Sequence, residues 1–447
     1  MARKRLRPVV NTALECKISA AGWTLAAVAE AIDAVGAENN LTLTYGAAAV
    51  AHWLNGVAPR VDTRPIAVEA FARRLGLPEL TATDLGWPAP GTGEAQADPW
   101  QGDSVVWLSR LGRNDMLDRR NALVSGLYSL AALTIPATLE GILRRSGPAR
   151  RGGPGDVARI RETTRQFSDL DDRYGGGHAR TAVAAYLVND VVPLLRGTTG
   201  RARPALFRAA CQLTYLAGWM AVDGGANGLG QRYYIQAVRL AGEAVDPLMR
   251  ATVLRALAVQ AIELGHATAA LDLAEAAIAS LRTGCPARTQ AWITGVHAEA
   301  LAATHDGWLA RRALYRAERD LERADSQPGS EWIGNYRRES LDHQTGMALL
   351  HLGDLEQAEA HLSASAGSRQ ITERRSRALI GARLAVVQHR RGRRDAAGHT
   401  MAQIADDVVS VESARVRREL RTLPVDLLRG ALPPSRDGAG AHVKIDR

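Results

Sequence analysis

Aromatic residues are scarce in this 447-residue chain, at 5% of the total with three Phe. Runs of β-branched residues are missing too. Small apolar side chains without such runs favour helix packed closely on helix and leave little room for sheet. Lysine is nearly absent, at Lys4, Lys17 and Lys444 only, so the formal charge of +9 is almost all arginine. Arginine suits phosphate and carboxylate recognition, but the same excess follows from a GC-rich genome. The basic balance therefore permits a nucleic-acid partner without proving one. Cys16, Cys211 and Cys285 are an odd number, far apart and without CxxC spacing. That argues against a disulfide framework or zinc site and for a reducing cytoplasm.

Long hydrophobic runs are also lacking. The opening "MARKRLRPVVNTALECK" is basic with no apolar run behind it, so a signal peptide is not expected. Residues 118–143, "DRRNALVSGLYSLAALTIPATLEGIL", imitate a twin-arginine export signal but lie too deep in the chain. Pro136 and Glu140 make this stretch a poor membrane span, and a buried helix is expected.

What is present is a 46% hydrophobic content made mostly of Ala, Leu and Val, in a chain too long for one ordinary core. The pattern divides it into an amino-terminal helical domain (1–86), a linker (87–103) and a connecting helical segment (104–155). A helical array (156–432) and a disordered tail (433–447) follow. The linker "WPAPGTGEAQADPWQGD" gathers Pro, Gly and small polar residues without periodicity.

The array carries an internal repeat. Small residues stand at Gly218, Gly230 and Ala237, with Gly225 in the turn and bulky Tyr234 between. The same offsets return at Ala258, Gly265, Ala270 and Ala277, then at Ala298, Ala310 and Ala317 with "HDG" at the turn. A fourth copy has Gly346, Gly353, Ala358 and Ser365, and a fifth Ala385, Gly392 and Ala397. Repeats of this length mean a solenoid of helix pairs. Small residues mark where two helices cross, and a glycine closing the first helix supplies its left-handed cap. The offsets resemble the tetratricopeptide repeat over roughly residues 205–408. They depart from it in a spacing of about 40 rather than about 34, in lacking the closing proline, and in Ile404 where a small residue belongs.

In the amino-terminal domain, "GWTLAAVAEAIDAVGA" places Leu25, Val28, Ala29 and Ile32 on one helical face. "YGAAAVAHWLNG" turns Val50, Trp53 and Leu54 to the core, and "PIAVEAFARRLGL" adds Ile66, Ala70, Phe71 and Leu75. This order resembles the XRE-type helix-turn-helix, with the connection before the third helix lengthened by "GAENNLTLTYG". Together with "GGGHARTAVAAYLVNDVVPLLRG" and "LAGWMAVDGGANGLGQRYYIQAVRLA", the chain looks like the actinobacterial regulators that join such a domain to tetratricopeptide repeats. The fold implied is all-α, a small helix-turn-helix domain followed by an α-solenoid of tetratricopeptide-like helix pairs. The function implied is a cytoplasmic transcriptional regulator of development or secondary metabolism.

In such folds the start of the third helix faces base edges. Carried onto this sequence, the exposed positions are Thr44, Tyr45, Ala47, Ala48, Ala51 and His52, with Asn55 and Arg60 placed for phosphates. Ala47 and Ala48 stand where the family has polar or basic residues, which removes about 1–3 kcal/mol of base discrimination per lost pair. The Tyr45 hydroxyl, the His52 ring and methyl contacts remain. The arm with Arg3, Lys4, Arg5 and Arg7 is either a phosphate or minor-groove contact or a solvated terminus. Double-stranded DNA is the expected partner, bound by a homodimer. A peptide, small molecule or protein effector is expected in the repeat groove. Trp219, Trp292, Trp308, Trp332 and Tyr336 are groove candidates, with core packing the competing fate of each.

Catalytic chemistry is not expected. "GGGH" at 175–178 follows no strand pattern and reads as a flexible break between helices. Asp169, Asp171 and Asp172 lack the later Glu of a calcium loop and read as a solvated acidic turn. No HExxH or G-x-S-x-G pattern occurs, so no metal, cofactor or enzyme activity is expected. The competing reading is a protein-interaction scaffold whose degenerate helix-turn-helix no longer binds DNA.

Overall fold

The computed structural model describes residues 9–88, 99–117, 127–135, 149–282, 284–324 and 336–431. The described residues are helical, with no strand among them. Four helices build the first unit: α1 (Thr12–Ala21), α2 (Leu25–Glu38), α3 (Ala47–Leu54) and α4 (Thr63–Leu75). The starts of α1 and α2 are capped by side chains. Asn11 Oδ1 accepts from the Leu14 N–H and Thr24 Oγ1 from the Ala27 N–H, satisfying donors that the first turn leaves unpaired. Gly22 ends α1 at φ 65°, a left-handed conformation that costs glycine nothing.

The unit's core is built from a few large side chains. Leu14, Ile32, Val50, Trp53, Ile66, Phe71 and Leu85 are all buried. Trp53 stands edge-on to Tyr45 at 5.3 Å and to Trp87 at 6.0 Å. The expected linker is therefore anchored at both ends, Trp87 in this core and Trp100 in the next.

Beyond it come α5 (Ser104–Leu117), α6 (Pro154–Tyr174), α7 (Gly176–Tyr186) and, after a π turn at Leu187–Val191, α8 (Val192–Gly197). The buried helix expected over 118–143 falls largely outside the described residues. Its described part, 127–135, is non-helical apart from a short 3-10 turn at Ala131–Leu133.

Five antiparallel pairs follow: α9 (Arg203–Asp223) with α10 (Asn227–Glu243), α11 (Pro247–Glu263) with α12 (Ala267–Ser280), and α13 (Ala287–Ala303) with α14 (Gly307–Glu322). Next are α15 (Arg338–His351) with α16 (Leu355–Gly367), and α17 (Arg374–Arg390) with α18 (Arg394–Ser410). Each pair packs on the next, as in a solenoid. The repeating small residues sit at the crossings. A Cβ on Gly218 would lie 2.7 Å from the Tyr234 ring, and one on Gly230 2.5 Å from Val222 and 3.0 Å from the Gly218 carbonyl. The Ile404 anomaly has a reason: the glycine has moved to the facing helix, where a Cβ on Gly381 would lie 2.6 Å from Ile404. The left-handed turn residue recurs at Gly225, Gly265, His305, Gly353 and Gly392.

The far end of the array returns to its start. Arg375 on α17 meets Asp171 at 3.3 Å and Asp172 at 2.7 Å on α6. A final pair of short helices, α19 (Ala414–Leu420) and α20 (Val425–Ala431), completes the described chain. Just before α19, the Glu412 N–H donates to the Tyr174 carbonyl, and Ser413 Oγ donates to Asp223. This corrects two expectations. Asp171 is buried within α6 as a partner for Arg375, not solvated in a turn. The "GGGH" segment is closely packed, since a Cβ on Gly175 or Gly176 would strike the backbone of Glu412 or Met220 at about 2.5 Å. Glycine is there for contact.

The first unit is docked on the turn edge of the array by one polar network. Arg73 bonds Glu38 and Glu69, at 2.9 and 2.8 Å, and donates to the Tyr128 carbonyl at 3.1 Å. Asn227 donates to the Glu38 carbonyl, and Gln231 exchanges two hydrogen bonds with the Ser129 backbone. His266 lies 3.1 Å from Glu38 and stacks on the Tyr128 ring. Burial acts to raise the Glu38 carboxyl, but His266 and Arg73 outweigh it and hold the group below its ordinary range. Leu127 belongs to the first core and Tyr128 to the second, so this segment is a wedge shared by both.

Candidate functional site

The face of α3 turned from the core is open. Thr44, Ala47, Ala48 and His52 are exposed, Ala51 and Asn55 half-buried, while Val50 and Trp53 hold the other side in the core. Arg60, after the helix, is exposed, with no ion-pair partner among the described residues. Exposed Val57 and Val61 bracket it, a feature the apolar periodicity of neighbouring helices did not flag.

Tyr45 does not share this openness. Its N–H donates to the Asp33 carboxylate, its hydroxyl is 2.7 Å from Thr63 Oγ1, and its ring rests on Trp53. It fixes the start of α3 against α2 and α4, so its hydroxyl is already paired. Arg3, Lys4 and Arg5 lie outside the described residues. The open patch thus consists of small groups, one imidazole and one guanidinium, a surface that can sit close to a duplex but offers few base-reading groups.

The groove candidates divide. Trp219 is flanked by Arg375 and Arg415, with the guanidinium carbons 5.3 and 4.8 Å from its ring centre. Trp292 carries Arg255 over its ring at 4.0 Å. Tyr336 is buried and donates its hydroxyl to Gln344. Trp308, by contrast, is 69% exposed near the start of α14, so it does not join the others. Trp332 lies outside the described residues. The helix-lined interior is also less empty than a groove reading requires, because α19 inserts into it.

That insertion is electrostatic. Glu263 accepts from Arg415, from Arg383 at 2.7 Å and from Arg418 at 3.0 Å. Burial acts to raise the Glu263 carboxyl, and the three guanidiniums reverse this and hold it well below its usual range. Arg383 also pairs with Glu419 at 3.1 Å. His343, 2.8 Å from Arg383, is pushed well down by burial and by that cation, and stays neutral near pH 7.

Two charges nearby have no such partner. Arg255 is 9% exposed, and its Nε is sealed from solvent without a hydrogen bond. Glu299 is 7% exposed and has no ion pair or hydrogen bond among the described residues. Burial, with Glu263 adding to it, pushes the Glu299 carboxyl up to about 7 against the pull of Arg383, Arg255 and Arg415. Sequence pattern singled out neither residue, since each is one of several polar positions on its helix and no spacing distinguishes it.

Among the described residues no group of three His, Cys, Asp or Glu is arranged to hold a metal, and Cys16, Cys211 and Cys285 are free thiols. No single described helix is long and apolar enough to cross a membrane. Helices α1 and α2 have the length together, but they break by 85° and bury their apolar sides in one core.

Residues 14–88 match the family model described as the SP15 N-terminal domain. The match spans the first unit and stops before the helix pairs. No XRE-type or tetratricopeptide family model matches the chain. No curated protein and no solved structure matches the chain.

Proposed function

We propose that this protein is a DNA-binding transcriptional regulator of development or secondary metabolism. The first unit would act as a helix-turn-helix, and the helix pairs as a tetratricopeptide-like sensor of a ligand or protein. The observation that carries the reading is the two-sidedness of α3, with Ala47, Ala48 and His52 outward, Thr44 exposed just before it, and Val50 and Trp53 pinned inward. Arg60 and, in sequence, Arg3, Lys4 and Arg5 supply phosphate contacts. Methyl groups and one imidazole give modest base discrimination, so specificity rests largely on DNA shape. A cytoplasmic homodimer bound to double-stranded DNA would double these contacts.

The docking network gives a physical route between the two parts. A shift of α10 or α12 acts on Asn227 or His266, and through Glu38 and Arg73 on α2 and α4. A ligand that binds one arrangement of the pairs better than another would bias the reading head by that difference.

Gel shift of the full-length protein on its own promoter, across a salt series, tests the reading. Binding to promoter DNA in preference to unrelated duplex, and weakened about tenfold by Arg60→Ala, is the expected result. Equal, negligible retention of both duplexes favours the alternative, an interaction scaffold with a degenerate head. The methyl-only surface at Ala47 and Ala48 speaks for that alternative.

A further inference from the structure

The interior of the helix pairs holds two kinds of buried charge. Glu263 is matched by Arg383, Arg415 and Arg418. Arg255 has no acid within ion-pair distance and rests on the Trp292 ring, and Glu299 has neither an ion pair nor a hydrogen bond among the described residues, although both residues are more than nine-tenths buried. They are not paired with each other within 4.0 Å. A buried guanidinium that lacks an acid, and a buried carboxyl that lacks a donor, are costly to keep and rare unless something completes them.

Their setting is specific. Trp292 and Glu299 lie on one face of α13, two turns and about 10 Å apart along the axis. The guanidinium carbon of Arg255, on α11, lies 4.0 Å from the centre of the Trp292 ring. Gly295 lies between Trp292 and Glu299 on α13. A Cβ there would come 2.8 Å from the Tyr336 hydroxyl and closer still to Gln344, so glycine admits these two polar groups to the wall. The result is a cation on an aromatic ring at one end, a lone carboxyl at the other, and a hydroxyl and a carboxamide between.

We propose that this is a binding site for a small organic acid that carries a carboxylate for Arg255 and, a few ångströms away, a hydroxyl or amino group for Glu299. The guanidinium fork accepts a carboxylate in two parallel bonds. Glu299 disfavours a phosphate dianion, which would bring two further negative charges beside it, whereas Glu263 is already matched by Arg383, Arg415 and Arg418. A donor on the ligand turns Glu299 from an unmet group into a hydrogen-bond acceptor. The raised carboxyl agrees with this, because an unligated site holds Glu299 partly protonated near pH 7. The inference names the effector class for the sensor proposed above. It is measured without DNA, so a failed gel shift leaves it standing and its own failure leaves DNA binding untouched.

The test uses the full-length protein in thermal unfolding and titration calorimetry at pH 7.5. The probes are the proteinogenic amino acids, a set of 2-hydroxy acids, acetate and inorganic phosphate. The expected result is a rise in Tm with one or more amino or hydroxy acids, a smaller response to acetate and none to phosphate. Arg255→Met should abolish the response and leave the ligand-free Tm unchanged or higher, because it removes an uncompensated charge. Glu299→Gln, nearly isosteric, should weaken binding about tenfold and narrow the gap between the acid probe and acetate. The proposal is overturned if no amino or hydroxy acid changes Tm, if phosphate alone does, or if both variants respond as the parent does. A ligand-free Tm that collapses in Arg255→Met, with binding intact in Glu299→Gln, would also overturn it by making Arg255 structural.

Discussion

The first unit and the helix pairs solve the packing problem in opposite ways. Residues 9–88 use a few large anchors, Trp53, Phe71, Ile32 and Leu14, to fill one small core around short helices. The pairs use small residues at Gly218, Gly230, Gly346 and Gly381 to bring long helices together, with bulk supplied by the facing Tyr234, Val222, Leu362 and Ile404. A core of anchors is sensitive to what is removed. A stack of crossings is sensitive to what is added. The contrast explains how a chain with so few aromatic residues can fold at this length: apart from a few buried rings such as Phe207, Tyr233 and Tyr234, the pairs are closed by small residues.

The contrast can be broken most strongly at Trp53. Truncation to Ala should cost about 3–5 kcal/mol, enough to melt the first unit separately while the helix pairs keep their own transition. Far-UV circular dichroism would then show two steps in place of one, and a single unchanged transition would mean that Trp53 is not the anchor described.

A second effect separates the unmatched interior carboxyl from the matched one. Glu299 sits at about 7 in the fold and near the ordinary glutamate value when unfolded. Between those two values the unfolded chain loses its proton first, so rising pH works against the fold, by up to about 3 kcal/mol above both. Glu299→Gln should therefore match the parent near pH 4.5 and exceed it increasingly toward pH 8 in denaturant titrations. Glu263, held low, behaves in the reverse sense, and its contribution fades only as pH falls below the ordinary glutamate value. A constant difference between Glu299→Gln and parent across this range would refute the assignment.

The smallest of these effects concerns a crossing. Gly230→Val adds bulk against Val222 and the Gly218 carbonyl, and should destabilise the pairs by about 1–3 kcal/mol. The same change at Gly242, which has no neighbour within 4 Å of an added Cβ, should cost less. Equal costs at the two sites would remove the distinction between crossing and surface glycines.

The two regions also differed in how much of them could be read beforehand. The pairs were legible because their constraint is periodic: Gly218, Ala258, Ala298, Gly346 and Ala385 all fall on first helices, and Gly230, Ala270, Ala310, Ala358 and Ala397 on second helices. Contacts that close the array left no such trace. Arg375 meets Asp171 and Asp172 across some two hundred residues, and Arg415 reaches Glu263 across about one hundred and fifty. An ion pair imposes no period on either partner. Of the α3 face, Ala47, Ala48 and His52 follow from helical spacing, whereas Thr44 precedes the helix and the inward turn of Tyr45 depends on Thr63 and Asp33, which spacing alone does not bring to it. Trp308 went to the outside for a related reason: the buried positions of α14 are Ala310, Ala313, Ala317 and Asp320, and Trp308 is not on that side.

The proposed DNA recognition stands or falls on the outward side of α3, which can be altered without touching the core. Ala47→Glu combined with Ala48→Glu places two carboxylates on exposed positions while Val50 and Trp53 keep their packing. Measured by gel shift against the protein's own promoter, with thermal unfolding as a control for folding, the double variant should lose binding by more than tenfold at unchanged Tm. Retention equal to the parent's, with the parent itself selective for that promoter, would contradict the placement of α3 against the duplex.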